Sequence, residues 1–337
     1  MDGLLTAATR GALTLLQTAQ AVFLSPGSMF SAASLLSALA VAVASLAWTR
    51  RRKRPLKMRV LVRALFPRRL LRGASTRADI GLFLLNTLAS GLLLGWALLS
   101  AHAISGSVAE VLRRGLGAHL APAAPRAALQ GAATLVLFLA YELAYWTDHY
   151  LSHRVPFLWD FHKVHHTAET LSPLTAFRVH PVDSLVFANI TAVIFGLAGG
   201  VLSYALGPQA TPYLLSGSNV ILIGFLFLTV HLQHSHLWIS FPGRLGRLLL
   251  SPAHHQVHHS TNPAHFNRNF GSCLAVWDWA FGTLYVPSRG RERLVFGVEV
   301  SPASASPHSV TGALITPFAD AARRLAPARQ RMGVTAS

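Results

Sequence analysis

Residues 128–166 read ALQGAATLVLFLAYELAYWTDHYLSHRVPFLWDFHKVHH, an apolar run followed directly by five histidines. Residues 128–148 match the length of about 20 apolar residues that a helix needs to cross a bilayer core. Beyond them, His149 and His153 are spaced by four and so share one face of a helix. His162, His165 and His166 have the spacing i, i+3, i+4 and share a face as well. This stretch therefore predicts a membrane-spanning helix that leads into a metal-binding segment.

The composition of the whole chain is typical of a membrane protein. Of its 337 residues, 52% are hydrophobic and only 12% are charged, against about 25% charged in soluble domains. Four more stretches are long and apolar enough to span, at 29–48, 80–103, 185–206 and 213–233. We interpret residues 1–24 as an interfacial helix, with a sixth span as the alternative, and we expect no removable signal peptide. The predicted fold is an all-α integral membrane protein with about five transmembrane helices and a cytoplasmic, histidine-rich helical cap.

The basic residues indicate which side of the membrane each loop occupies. Twelve Lys and Arg residues lie between Arg50 and Arg77, which places that loop in the cytoplasm. Alternation then makes the 149–184 loop and everything after residue 234 cytoplasmic. On this count 25 basic residues lie inside, and four lie outside: Arg10, Arg113, Arg114 and Arg126. Basic cytoplasmic loops account for the formal charge of +17, and no nucleic-acid-binding motif accompanies it, so we expect no nucleic-acid partner. A strong preference for Arg over Lys, with abundant Ala, Leu and Gly, favours a bacterial inner membrane.

Histidines are concentrated in the segments assigned to the cytoplasmic side. Fourteen of the 17 lie between residues 149 and 265. The sequence HHQVHH at 254–259 repeats the His-x-x-His-His spacing of 162–166, and HLQHSH at 231–236 adds three more. Clustered imidazoles with few acids suit iron, copper or zinc, and the lone Cys273 excludes a cysteine-rich zinc site. So many imidazoles exceed the needs of one ion, so we expect two.

Two acidic residues precede the first histidine pair on the same helix. Glu142 lies about two turns before His149, and Asp148 is its immediate neighbour. A carboxylate near the end of a span is costly unless paired, so both are candidates to accept a hydrogen bond from a ligating imidazole. For Glu142 the alternative is a polar residue without a role in the site.

Taken in order, these motifs resemble the fatty acid hydroxylase / sterol desaturase superfamily of membrane di-iron oxygenases. The resemblance covers roughly residues 130–287 and rests on HYLSH (149–153), HKVHH (162–166), FRVHPVDS (177–184), QHSH (233–236), SPAHHQVHHS (251–260) and NRNFG…VWDWAFGTLY (267–285). Carried onto this sequence, it implies metal ligands at His149, His153, His162, His165, His166, His255, His258 and His259, with His234, His180 and His231 as further candidates. His236, His254, Asn269 and Asp278 are implied as neighbours that support the ligands.

The resemblance also implies the chemistry. Two iron ions would activate O₂ and oxidise a C–H bond of a membrane lipid that is fatty acyl, sterol-like or an aminolipid. Hydroxylation is the expected outcome, and desaturation stays open. Since no flavin, haem or nicotinamide motif is found, a separate ferredoxin or cytochrome-type electron donor is implied. The basic segment 50–77 and the Arg289, Arg291 and Arg293 run are predicted to bind anionic phospholipid or, alternatively, an acidic donor.

The predicted organisation has five parts: an N-terminal helix and first span (1–49), a basic cytoplasmic loop (50–79), a second span with an outer loop (80–127), the catalytic domain (128–287) and a basic, partly disordered tail (288–337) with a short helix at 310–328. Two other classes of function remain open. A membrane zinc or iron transporter or storage protein would place its ligands along the spans, whereas these histidines gather at one interface. A di-zinc hydrolase would need bridging carboxylates, which the histidine motifs lack.

Overall fold

The structure is a computed structural model that describes residues 2–50, 57–88, 95–118, 122–207, 210–298 and 306–325. Apart from one two-stranded hairpin, its regular elements in those ranges are helices. In chain order the helices are α1 (Asp2–Phe23), α2 (Ala32–Arg50), α3 (Met58–Leu65), α4 (Arg68–Arg72), α5 (Ala74–Leu88), α6 (Ala101–Leu116), α7 (Arg126–Arg154), α8 (Pro156–His166), α9 (Pro181–Leu206), α10 (Val220–Gln233), α11 (Arg244–Leu248), α12 (Pro252–His258), α13 (Val276–Ala280) and α14 (Val310–Leu325). The hairpin pairs β1 (Leu214–Leu215) with β2 (Ser218–Asn219).

Three helices among the described residues are long and apolar enough to cross a membrane: α2, α7 and α9. They cover the predicted spans 29–48, 128–148 and 185–206. Helix α7 runs without interruption through His149 and His153 to Arg154, so the first histidine pair lies on the last turns of a span. Pro156 then begins α8, since proline is favoured in the first turn of a helix. The predicted continuity between a span and the histidine-bearing segment is confirmed.

The second predicted span, 80–103, is wrong as a single helix. Helix α5 is described as far as Leu88, and residues 89–94 lie outside the described residues. A 3₁₀ turn then covers Gly95–Ala97, and α6 begins only at Ala101. The break lies beside α9, where Asn189 donates to the Ala97 carbonyl and accepts from the Leu99 amide. A side chain that satisfies freed backbone groups allows such a break next to a span. Hydropathy alone predicted a helix here because it does not register this interruption.

Helix α6 packs closely against α9 through small residues. A methyl group on Gly196 would come within 2.8 Å of Ile104, and one on Gly200 within 2.5 Å of Val108. Small residues allow close approach between helices where no hydrophobic effect drives association. In these two contacts the residue numbers rise in the same direction along both helices, so α6 runs parallel to α9.

The fifth predicted span, 213–233, is also corrected. Its first residues form the β-hairpin, with Gly217 at φ +78° in the turn, a conformation that favours glycine. The helix that follows has only 14 residues, and Leu226–Val230 within it are π-helical. Asn219 begins this helix by accepting from the Ile221 amide. The apolar run is therefore a hairpin joined to a short helix, which leads to the histidines at its end.

The predicted basic loop 50–79 is largely helical where the structure describes it. Helices α3 and α4 occupy its middle, and α5 begins at Ala74. This segment is tied to the rest of the protein by Arg178, which is fully buried and forms a salt bridge to Asp79 at 2.8 Å. The Arg178 side chain also donates to the carbonyl of Val164 on α8.

The C-terminal helix α14 packs against the histidine-bearing helix α8. Asp160 accepts hydrogen bonds from Arg324 and Lys163, and Lys163 also pairs with Asp320. The prediction of a short helix over 310–328 agrees with α14 as far as Leu325. The predicted disorder beyond it lies outside the described residues.

Candidate metal centre

Nine histidines converge in two adjoining groups near the C-terminal ends of α7 and α10. In each group the ring nitrogens that face one another all lie within 4.8 Å. The first group is His149, His153, His162, His166 and His258; the second is His165, His234, His255 and His259. Four chain segments supply them: the end of α7, α8, the residue after α10, and α12 with the residue that follows it.

Hydrogen bonds fix the orientation of three rings in the first group. Nδ1 of His149 donates to the Phe270 carbonyl at 2.8 Å, and Nδ1 of His258 donates to the Arg268 carbonyl at 2.8 Å. Nδ1 of His162 lies 3.0 Å from the Asp183 carboxylate. With the proton on Nδ1, each Nε2 carries a free lone pair. These three Nε2 atoms are buried and have no hydrogen-bond partner among the described residues.

In the second group four Nε2 atoms face one another. The Nε2 of His234 lies 3.1 Å from that of His165, 2.9 Å from that of His255 and 3.2 Å from that of His259. A neutral imidazole carries only one N–H, so one nitrogen cannot form matched hydrogen bonds to three others that themselves meet. The arrangement is typical of lone pairs that point at a common centre.

Burial favours the neutral form of most of these imidazoles, with His162 as the exception. It lowers the pKa of His234 and of His258 to about 3, with a further contribution from neighbouring imidazoles. Burial and neighbouring imidazoles also lower the pKa of His165, His166, His255 and His259 well below the usual value. For His162, burial lowers the pKa but the Asp183 carboxylate more than offsets it, so that this pKa is raised. Neutral imidazole is the form that binds metals.

The donor set fits metal ions. Two nitrogens that each bind one ion at about 2.1 Å, with an angle of about 90° at the ion, are about 3 Å apart. This matches the 2.9–3.2 Å observed between the Nε2 atoms. A purely nitrogen donor set suits iron, copper or zinc rather than magnesium or calcium. Buried lone pairs without hydrogens between them would repel one another, so this arrangement is one that could hold metal ions between the rings.

The structure places the other candidate histidines outside both groups. Both ring nitrogens of His180 have partners in the protein, since one accepts from the Val182 amide and the other donates to the Leu314 carbonyl. His254 likewise uses both, with Ser251 at the start of its own helix and with the Gly246 carbonyl. The expectation that His180 could be a ligand does not agree with these contacts, because no lone pair remains available.

Two further histidines bind to other elements of the fold. Nε2 of His231 lies 3.2 Å from the Ser34 hydroxyl on α2, and Nε2 of His236 lies 2.5 Å from the Ala64 carbonyl on α3. Neither belongs to a histidine group. They connect the segment that carries His234 to the N-terminal helices. His265 is buried in a 3₁₀ turn over Pro263–His265, and its Nε2 lies 3.7 Å from the Glu292 carboxylate.

The acidic candidates have roles other than those expected. Glu142 accepts from the amides of Cys273 and Leu274 at 2.9 and 2.7 Å, not from an imidazole. Asp148 is buried, and its Oδ1 has no partner in the described part of the chain. The carboxylate that does orient a histidine is Asp183, which the sequence reasoning missed. Its position in the HPVD sequence, in the first turn of α9, was the available signal.

Asp278 and Asn269 hold the loop whose carbonyls orient His149 and His258. Asp278 accepts from the amides of Phe270 and Gly271 and from the Thr283 hydroxyl. Asn269 has φ +59° and bonds both to the His254 carbonyl and to the Tyr285 amide. Through these contacts each of the two residues acts on the backbone that touches His149 or His258.

Two cavities meet the histidine groups and share no lining residue. A cavity of about 380 Å³ reaches His149 and His162 of the first group and His165 and His234 of the second. Its remaining wall is mainly apolar and comes from α7, α9 and α10, including Phe187, Leu222, Ile223, Leu226 and Val230. The other cavity, of about 650 Å³, touches His153, His166, His258 and His259 together with Trp159 and Phe266. The first offers an apolar molecule direct access to both groups.

Residues 134–283 match the family model for fatty acid hydroxylase. The chain carries a fatty acid hydroxylase domain. The matched region contains all nine converging histidines and begins eight residues before Glu142. The resemblance drawn from the histidine motifs is thereby confirmed.

Curated relatives of this domain modify lipids. The chain is 27% identical to alkylglycerol monooxygenase of Danio rerio over 169 residues, which are 48% of this chain and 32% of that protein. It is 28% identical to the Homo sapiens alkylglycerol monooxygenase, with the same shares covered. It is 30% identical to the ornithine lipid hydroxylase OlsE of Rhizobium tropici over 149 residues, which are 44% of this chain and 40% of that protein. The match thus spans well under half the length of these relatives. No solved structure matches the chain.

Proposed function

We propose that this protein is a membrane-bound, O₂-dependent monooxygenase that hydroxylates a C–H bond of a lipid at a di-iron centre. The observation that carries the proposal is the apolar cavity that ends at histidines of both groups. A metal transporter or storage protein would have no need for such a cavity at its ligands. A hydrolase would be expected to offer carboxylates among the ligands, and both histidine groups contain imidazoles alone.

In this proposal each histidine group holds one iron ion. When bound, the two irons supply the activation of O₂, so that one oxygen atom enters a C–H bond and the other leaves as water, with two electrons and two protons from outside. The protein orients the ligands through the Phe270 and Arg268 carbonyls and through Asp183. Such partners of ligating histidines fix the ring position and the basicity of the ligand nitrogen. The apolar wall of the cavity binds the lipid and excludes water from the reacting carbon.

We infer that the substrate has a polar end and a long apolar chain. The relatives are named for alkylglycerols and for an ornithine lipid, both of which fit this description better than a sterol-like ring. A further cavity of about 480 Å³ shares Tyr141, Phe187, Ser218 and Leu222 with the first. It extends between α7 and α9 along apolar side chains such as Phe138 and Phe195, where an alkyl chain would lie. The names of the relatives also favour hydroxylation over desaturation.

An external electron donor would approach from the side of the larger cavity. Trp159 lies there with its ring 4.9 Å from His153 and 5.4 Å from His166. We propose a ferredoxin or cytochrome-type partner, whose acidic surface would complement the exposed Arg289, Arg291 and Arg293 run. The proposed location is a bacterial inner membrane, with the centre on the cytoplasmic side and anionic phospholipid around the basic segment 50–77.

The proposal is tested by following oxygen into lipid. Iron-loaded protein in detergent is supplied with a chemical reductant, heavy-isotope O₂ and a mixture of alkylglycerol and ornithine lipids, which are then analysed by mass spectrometry. We expect one labelled oxygen in a lipid product, and none with His165→Ala or His258→Ala. A product lighter by two hydrogens and without label would identify a desaturase. No oxidised lipid from protein that retains iron would refute the proposal.

A further inference from the structure

The cavity that reaches both histidine groups has a mainly apolar wall. Two carboxyl groups, Asp148 and Asp183, lie in its wall beside His149 and His162. Asp183 is engaged, because its Oδ2 bonds to Nδ1 of His162. Asp148 is only 6% exposed, and its Oδ1 has no hydrogen-bond partner among the residues that the structure describes.

A buried carboxyl oxygen without a hydrogen-bond donor lowers the stability of the folded protein. A buried acceptor without a donor loses its hydrogen bonds to water and gains none in return. Among the other acids near the centre, Glu142 accepts two amides through Oε2 but leaves Oε1 without a partner among the described residues. Asp278 accepts two amides and a hydroxyl. Of these three acids Asp148 alone lines the cavity, so its Oδ1 is the acceptor that a donor from outside the chain can reach.

Away from the histidines, this cavity continues into the cavity of about 480 Å³, and the two together form a passage. The cavity that continues it is lined by Leu137, Phe138, Ala192 and Phe195, with few polar groups. A lipid in this passage would keep its alkyl chain between α7 and α9 and would bring its polar end to the histidines. The carbon nearest the centre would then be close to the head group and not in the middle or at the methyl end of the chain.

We propose that Asp148 binds a hydrogen-bond donor, a hydroxyl or ammonium group, at the polar end of the lipid substrate. The substrate class is then a lipid that carries such a donor next to the carbon to be oxidised. This inference rests on the proposed function, since it assigns a substrate to the same cavity. Asp148 acts as a specificity-determining residue, and the charge of an ammonium group or the two hydroxyls of a glycerol ether would each satisfy it.

Equilibrium binding to the iron-loaded protein tests the inference without turnover. The probes are a hexadecyl glycerol ether, an acyl-ornithine lipid and hexadecyl propyl ether, which has the skeleton of the first but no hydroxyl. We expect the first or second to bind at least about tenfold more tightly than the third, as one hydrogen bond to a charged group produces. The hydroxyl and ammonium forms of the donor are distinguished by which of the two lipids binds.

Two variants separate recognition from a structural role. Asp148→Leu should abolish the preference for donor-bearing lipids, whereas Asp148→Asn, which keeps an oxygen acceptor, should retain part of it. Iron content should stay at the wild-type level in both, as in the control Glu110→Gln on the exposed part of α6. Equal binding of all three lipids by the wild type would overturn the inference, as would an unchanged preference in Asp148→Leu or a loss of iron in both variants. Because binding is measured without turnover, a protein that discriminates lipids but oxidises none would refute the proposed function alone.

Discussion

The contact between Asp183 and His162 gives the sharpest single perturbation of the centre. The two side chains are 3.0 Å apart, and each is less than a tenth exposed. Asp183 lies in the first turn of α9, where the helix dipole favours a negative charge. It fixes the His162 proton on Nδ1 and leaves Nε2 free for a metal ion. Replacing Asp183 by Leu removes both the charge and the acceptor while it keeps a similar volume.

We expect Asp183→Leu to weaken one of the two metal sites and to spare the other. Loss of such a partner typically lowers metal affinity 10- to 100-fold, which is about 1.4 to 2.8 kcal/mol. Asp183→Asn keeps an acceptor but not the charge, so we expect the lower end of that range. Only the group with His162 should respond, because the histidines around His234 have no contact with Asp183 among the described hydrogen bonds.

The assay is competition with a graded series of chelators, with the iron that remains measured per chain. Wild type and Glu110→Gln should release two equivalents at similar chelator strength. Asp183→Leu should release one equivalent at 10- to 100-fold lower chelator strength. Identical release curves for Asp183→Leu and the wild type would refute the role given to this carboxylate, as would an equal weakening of both sites.

Three further substitutions test the surrounding structure. His180→Ala should leave the iron content unchanged and lower the unfolding free energy by about 1 kcal/mol through loss of its cap to α9; a loss of iron would restore His180 as a ligand candidate. Arg178→Met should cost about 3–5 kcal/mol because it leaves Asp79 buried and unpaired, and an unchanged thermal unfolding midpoint would contradict this. Asp160→Ala removes the acceptor for Arg324, so limited proteolysis should cleave α14 faster than in the wild type; equal rates would show that other contacts hold the helix.

The histidine pattern predicted which histidines lie close together. The motifs around residues 149–166 and 254–259 supplied eight of the nine histidines that converge, and the end of the predicted hairpin supplied His234. Spacing identified them because i, i+3 and i+4 positions share a helix face. The same reasoning could not exclude His180 and His231, since a histidine that caps a helix or bonds to Ser34 looks no different in sequence from a ligand.

The partners of the ligands were harder to predict. Two of the three orienting acceptors are backbone carbonyls, of Phe270 and Arg268, which any residue could supply. Glu142 was expected near an imidazole from its place on α7, but its contact with the amides of residues 273 and 274 depends on a loop 130 residues away. Hydropathy located α2, α7 and α9, yet it missed the breaks at 95–100 and at the β-hairpin. In those segments Asn189 and a glycine turn, rather than apolar length, determine the backbone.

The most direct test of the two-site account is the iron content of variants that each disable one histidine group. Purified protein is measured for wild type, for His162→Ala with His258→Ala, and for His234→Ala with His255→Ala, with helix content by circular dichroism as the check on folding. We predict about two irons per chain in the wild type and about one in each double variant. A wild type with a single iron, or folded double variants that both keep two, would contradict the assignment of one metal ion to each group.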